Sequence, residues 1–252
     1  MRVVSLCPSI TETLVAIGGL SALKGVTRYC TRPKGLLWGV PRVGGTKNPD
    51  VERIVALEPD LVFANAEENR REDVEALRAA GVEVDVTLPK SVDEVPAEVR
   101  RWGRLLDSEE EAEGLAGRIE AAADSLRSEP PHPFSYAYWI WKDPWMTVSD
   151  DTYVADLVSL AGGRNVYGGE TARYPTTTPA EALGRAPDVH LFASEPYPFK
   201  EEKHGELIRA LFGGESRHLF VDGDDYCWHG YRTLEGLNAM RRLRELLRSS
   251  GG

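Results

Sequence analysis

V-E-R-I-V-A-L-E-P-D-L-V-F-A-N, Val51 to Asn65, reads as a short helix, a Pro-Asp break and a buried strand from Leu61 to Ala64. Glu52 stands in the first turn, where the positive end of the helix dipole favours a carboxylate. Ile54, Val55 and Leu57 supply the apolar side. Pro59 ends the helix, because proline biases the residue before it away from helical angles. The same pattern returns as P-A-E-A-L-G-R-A-P-D-V-H-L-F-A-S, Pro179 to Ser194. Pro59-Asp60 and Pro187-Asp188 align at an offset of 128 (187 − 59). A looser echo pairs T-L-V-A-I-G-G (13–19) with L-V-S-L-A-G-G (157–163) at an offset of 144 (157 − 13). Each unit is too small to bury a core alone, so two copies in one order imply two similar lobes.

Outward from the first copy, Val3–Leu6, Lys24–Arg28 and Val82–Val86 read as further strands, with helices between them. Ser9…Glu12, Asn69…Glu72, Ser91…Glu94 and Ser108…Glu111 read as capping boxes at helix starts, and Thr178 with Pro179 as the start of the repeated helix. Strands alternating with helices predict parallel sheets covered on both faces. Ser108 to about Arg127 carries Ala112, Leu115, Ile119, Ala122 and Leu126 on one stripe. Its roughly 20 residues would span roughly 30 Å, the width of a small domain. The expected organisation is therefore an N-terminal α/β lobe (1–107), a connecting helix (108–128) and a C-terminal α/β lobe (129–252), with a cleft between the lobes. Phe134–Ile140, 189–193 and 218–222 are the second lobe's strands, and a basic helix closes the chain near Arg248.

The formal charge of −10 over 252 residues argues against nucleic acid, whose binding rests on clustered cations. Three widely spaced cysteines, Cys7, Cys30 and Cys227, give no readable disulfide framework. No apolar run is long enough to span a membrane, and no export segment is read at the start, so extracytoplasmic and cytoplasmic placements both stay open. No nucleophile elbow, phosphate loop, dinucleotide fingerprint or C-x-x-C occurs, and no catalytic residues are expected.

In α/β lobes a ligand sits outside the carboxyl ends of the strands. The segments expected there hold many rings (Tyr29, Trp145, Tyr174, Tyr226, Trp228, Tyr231) and the cations Arg28, Arg32, Arg173 and Arg232. Flat apolar walls with a few polar groups suit a bulky planar or amphipathic ligand.

R-V-V-S-L-C-P-S-I-T-E-T-L, P-R-V-G-G-T-K-N-P-D-V-E-R-I-V-A-L-E-P-D-L-V, L-A-G-G-R-N-V-Y and A-P-D-V together resemble the substrate-binding proteins of iron-siderophore and cobalamin ABC importers, the helical-backbone metal receptors. The resemblance covers nearly the whole chain. It implies two lobes joined by one rigid helix, a bound metal chelate (cobalamin-like corrinoid, heme or ferric siderophore), no intrinsic cofactor, a permease partner and a monomer. Residue by residue, Tyr29 falls where the cobalamin-binding members hold a tyrosine against the corrinoid, Tyr174 where they hold a tryptophan, and Met146, beside Trp145, where they hold a phenylalanine. Thr46 stands at a cleft tryptophan, and Arg32 lies on the Tyr29 loop. Asp225, Trp228 and His229 match an aspartate-to-arginine loop, with His229 in place of the arginine. Glu52 matches a glutamate that docks onto transporter arginines, and Glu181 lies one residue past its second-lobe counterpart, Ala180.

Two other readings stay open from the residues. One is a bare transition-metal receptor using Cys30, Cys227 and His229. The other is a cytosolic sensor or enzyme that reuses the fold.

Overall fold

The computed structural model describes residues 1–130, 132–213 and 216–249. It divides into two compact units. Unit 1 comprises residues 1–89, 93–119 and 229–232; unit 2 comprises 90–92, 120–228 and 233 to the end.

Unit 1 runs β1 (Val3–Ser5), α1 (Pro8–Ala16), β2 (Leu23–Val26), α2 (Val51–Ala56), β3 (Leu61–Asn65), α3 (Arg71–Ala79), β4 (Val84–Thr87) and α4 (Val95–Leu105). Its strands are parallel in the order β2-β1-β3-β4. Helix α5 (Glu109–Ser128) passes from unit 1 to unit 2 after Ile119. Unit 2 continues with β5 (Phe134–Trp139), β6 (Trp145–Met146), α6 (Tyr153–Ser159), β7 (Gly163–Asn165), β8 (Thr176–Thr177), α7 (Pro179–Arg185), β9 (Val189–Ala193), α8 (Glu201–Phe212), β10 (Arg217–Val221), α9 (Gly223–Cys227) and α10 (Thr233–Arg248). Its main sheet is parallel in the order β10-β9-β5-β7, while β6 and β8 form a small antiparallel ribbon. Read from the other edge this is β7-β5-β9-β10, the strand order of unit 1. The expected pair of similar parallel α/β lobes is what the chain forms.

The sequence echoes have backbone counterparts. Gly18 and Gly162 stand just beyond α1 and α6 with φ of 87° and 97°, left-handed angles that glycine adopts without steric cost. The strands explain their own burial. Every residue of β3 and of β9 is buried, as strands covered on both faces require. The unit 1 core around β3 is aliphatic, from Val4, Leu6, Val43, Ile54, Val62, Leu77 and neighbours. The unit 2 core is built from rings: Trp139, Trp145, Tyr167, Phe192, Phe199 and Phe212.

The helix starts depart from the capping-box expectation. Helix α1 begins at Pro8 after Cys7, with no side-chain cap, and Glu12 instead pairs with Arg232. Helix α3 is preceded by Arg70 without a side-chain cap, because Asn69 is turned to brace other loops. Ser108 Oγ is buried without a hydrogen-bond partner, so it caps nothing at α5. Val92–Glu94 forms a 3-10 turn ahead of α4. Thr178 does cap α7, accepting from the Glu181 N–H with Pro179 at the first helical position. At α2 the cap is Asp50, which accepts from Arg53 N–H at 3.0 Å, so Glu52 is a first-turn residue free of that duty.

Candidate ligand-binding surfaces of the two units

In unit 1 the loop after β2 carries Tyr29, 54% exposed. The guanidinium of Arg28 lies 5.5 Å from its ring centroid and donates to Asn48 Oδ1 at 3.1 Å. Gly45 makes this possible: a Cβ there would collide with Asn48 Oδ1 and lie 3.2 Å from the tyrosine ring. Arg42 ties the loop from behind, donating to the carbonyls of Thr27 (3.1 Å), Cys30 (2.9 Å) and Leu37 (3.4 Å). Arg32 is half-buried on the same loop. Thr46 is buried, and its carbonyl is held by Asn69 Nδ2 at 2.9 Å.

In unit 2 the loop after β7 carries Tyr174, 37% exposed, with the Arg173 guanidinium 6.0 Å from its ring centroid. Arg173 also faces Asp151 at 3.8 Å. Strands β2 and β7 occupy the same place in their sheets, so the two Arg-Tyr pairs sit on equivalent loops. A guanidinium within about 6 Å of a ring centroid is attracted to the ring's face and restrains its orientation. Met146 is half-buried on β6, paired with Thr176 of β8. Trp145 points the other way. It is 8% exposed, stacked on Phe199 with centroids 5.9 Å apart and set edge-on to Phe212 at 4.9 Å. Trp145 is a core ring, which corrects its expected place on the ligand surface. Asp225 and Trp228 are half-buried at α9, where Arg242 approaches Asp225 at 3.9 Å.

Residues 3–209 match the family described as Periplasmic binding protein. The chain belongs to that family. The vitamin B12-binding protein of Vibrio parahaemolyticus serotype O3:K6 is 28% identical over 97% of this chain and 88% of its own length. That of Vibrio campbellii is 25% identical over the same shares. Among solved structures, the periplasmic vitamin B12 binding protein of Vibrio cholerae superposes with a TM-score of 0.86 at 21% identity, covering 99% of this chain and 98% of the other. The periplasmic heme-binding protein of Roseiflexus sp. RS-1 superposes at 0.82 with 23% identity, covering 97% and 98%. These two structures bear on the fold.

His229 is not a surface group. It is 5% exposed inside unit 1, with Nε2 at 3.3 Å from Asn65 Nδ2 and Nδ1 at 3.5 Å from Glu98 Oε2. Burial pushes its pKa down to about 4 and pushes Glu98 up to about 7. Cys30 is fully buried and bonded by the hydroxyls of Thr11 and Thr27, and burial raises its thiol pKa. Among the described residues no group of three or more His, Cys, Asp or Glu is placed to hold a metal ion. The bare-metal reading of Cys30, Cys227 and His229 is therefore withdrawn.

Sequence reasoning missed two buried asparagines. Asn69 accepts from Asn65 N–H at 2.8 Å and donates to the carbonyls of Leu6 (3.1 Å) and Thr46 (2.9 Å), joining the ends of β1 and β3 to the Gly44–Pro49 turn. Asn65 Oδ1 accepts from the N–H groups of Glu67 and Glu68. The available signal was an Asn at each end of N-A-E-E-N, Asn65 to Asn69, where a buried strand ends, a pattern that favours side-chain-to-backbone turns.

Glu52 is exposed on α2. Glu181 is occupied: Oε2 accepts from Thr177 Oγ1 at 2.9 Å and Oε1 pairs with Arg185 at 2.9 Å. The Thr177 hydrogen bond, then Arg185, lowers its pKa.

Proposed function

We propose that this chain is the receptor of a metal chelate of the cobalamin or heme class, which it delivers to an ABC importer in the membrane. The observation that carries the reading is the repeated Arg-Tyr pair, Arg28-Tyr29 and Arg173-Tyr174, exposed on equivalent strand-end loops of two topologically equal units. Rings held from behind by a guanidinium are preorganised walls for a flat macrocycle. The vitamin B12-binding relatives of 25–28% identity support that ligand class. Arg32, Met146, Asp225 and Trp228 are the further contacts of this reading, with Thr46 acting through its backbone.

Titration of the purified protein with cyanocobalamin and with hemin, followed by absorbance, tests the proposal. One of the two is expected to saturate a single site. Tyr29→Ala and Tyr174→Ala are each expected to weaken it about tenfold, since one stacked ring contributes about 1 kcal/mol beyond its area. Binding of neither chelate, or unchanged affinity in both variants, would overturn it.

A further inference from the structure

His229–Arg232 lies between two stretches of unit 2 yet packs within unit 1. Arg232 pairs with Glu12 at 2.9 Å, both side chains being buried. Gly230 adopts φ 80° against Thr13, where a Cβ would collide with the hydroxyl. The Tyr231 N–H donates to the same hydroxyl at 2.9 Å. His229 completes the attachment, and its protonation can be worked out from its neighbours.

Asn65 Oδ1 is committed to the two N–H groups of Glu67 and Glu68, so its Nδ2–H group faces His229 Nε2. Nε2 must accept, and the neutral ring therefore carries its proton on Nδ1, 3.5 Å from Glu98 Oε2. The groups around Glu98 offer little countercharge. Arg101 stands 4.0 Å away and is bonded to Asp85 at 2.6 Å, Glu94 adds negative charge, and Thr87 gives a hydroxyl. The Trp102 ring flanks the imidazole at 6.4 Å, and the nearest ion pair on the segment, Glu12–Arg232, is internally matched.

We propose that Glu98 is a positioning residue for the His229–Arg232 segment: it takes up the proton that His229 gives up on burial, so the segment stays docked through mildly acidic pH. With the acid proton on Oε1, Oε2 stays an uncharged carbonyl oxygen facing Nδ1 at 3.5 Å. The proton count follows from the surroundings. Docked, Glu98 holds its proton up to about pH 7 and His229 stays neutral down to about pH 4. Released, the two groups return to ordinary values of 4.5 and 6.5. Between pH 4.5 and 6.5 both states carry one proton, on Glu98 when docked and on His229 when released, so docking neither binds nor frees one.

Each partner alone loses that balance. In Glu98→Gln only the histidine titrates. It must stay neutral to dock, so docking weakens about tenfold per pH unit from 6.5 down to about 4, roughly 300-fold in all. In His229→Gln only the carboxyl titrates, and docking weakens by a similar factor as pH rises from 4.5 to about 7. The readout is the protection factor of the Tyr231 amide in hydrogen exchange between pH 4.5 and 7, corrected for intrinsic exchange. The wild type is expected to vary less than about threefold up to pH 6.5, the single variants to slope in opposite directions and the double variant to be flat. A flat Glu98→Gln profile, or two single variants sloping the same way, overturns the proposal. Nitrogen NMR of His229 in the wild type stands in where a variant fails to fold. A neutral ring protonated on Nδ1 at pH 5.5 is expected, and an imidazolium there overturns the proposal equally. No ligand is needed, so this outcome is separate from that of the chelate titrations.

Discussion

In the first copy of the repeated unit, Glu58 precedes Pro59 at φ 47°; in the second, Ala186 precedes Pro187 at φ 46°. Neither is glycine, and both lie in the left-handed region at the end of their helix. The aspartate after each proline then ties down the start of its unit's first strand. Asp60 accepts from the Arg2 N–H at 2.6 Å, ahead of β1. Asp188 accepts from the Ser135 N–H at 2.6 Å and hydroxyl at 2.7 Å, at the start of β5. The backbone device is the same twice over, while the side chains around it diverge. Val62 and Ala64 of β3 stand at the positions of His190 and Phe192 in β9, one pair in an aliphatic core and the other among rings. Helix-break-strand geometry thus constrains the Pro-Asp corner strongly and the core filling at these positions weakly.

The largest expected effect breaks the aromatic copy. Phe192 meets Phe199, Phe212, Phe220 and Trp139 at centroid distances of 5.4 to 6.1 Å. Phe192→Ala should cost about 3–5 kcal/mol in denaturant unfolding, the range for emptying a packed aromatic site. A cost near 1 kcal/mol would mean that the ring cluster collapses freely and is not the organising core of unit 2.

His190 should make the second copy acid-sensitive where the first is not. Its Nδ1 accepts from Trp139 Nε1 at 3.1 Å, and burial, with His218 beside it at 5.5 Å, lowers its pKa to about 4. A histidine lowered from 6.5 binds fewer protons folded than unfolded, so stability falls as pH drops from 6.5 through about 4. The loss is on the order of 3 kcal/mol. His190→Val, the residue type of position 62, should flatten that part of the pH profile while lowering stability at neutral pH, because the indole N–H loses its acceptor. An unchanged acid slope would locate the sensitivity elsewhere.

The two corner aspartates should differ by less. Asp188→Ala strands a buried N–H and a hydroxyl and should cost about 2 kcal/mol, against about 1 kcal/mol for Asp60→Ala. The Ser135 N–H holds the Asp188 carboxyl below its ordinary range, so this contribution is present at neutral pH and lost as the carboxyl protonates in acid. Equal costs for the two variants, measured by thermal unfolding at pH 7, would mean that the additional Ser135 hydroxyl contributes nothing.

What was legible in the sequence was local or repeated. The Pro-Asp corners, the glycines ending α1 and α6 and the strands around them follow from spacing and turn chemistry. The Thr178 cap was legible because its partner is three residues away. The Ser9…Glu12 cap misled because Glu12 is claimed by Arg232, 220 residues on, a partner no window contains. Trp145 and Met146 are neighbours on one short strand, where alternate side chains face opposite ways, and composition alone cannot say which faces inward. His229 looked like a loop residue because Asn65, Glu98 and Trp102, which it meets, come from β3 and α4.

The smallest expected effect on stability sharpens the comparison most. Glu52 and Glu181 stand in the first turns of the two equivalent helices, where a carboxylate suits the helix dipole. Glu181 is spent on Thr177 and Arg185, whereas Asp50 relieves Glu52 of capping and leaves it exposed. Glu181→Gln should therefore lose a surface pair of about 0.3–0.5 kcal/mol. Glu52→Gln should change unfolding by no more than the dipole contribution, at most about 1 kcal/mol. If the receptor docks on an importer, that interaction should separate the two variants. Glu52→Gln should weaken binding to a reconstituted importer, most strongly at low salt where an exposed pair is least screened. Glu181→Gln should leave it near wild type, because its carboxylate is already satisfied by Thr177 and Arg185. Loss of importer binding in Glu181→Gln but not in Glu52→Gln would show that the second copy, despite its occupied carboxylate, is the one presented to the membrane partner.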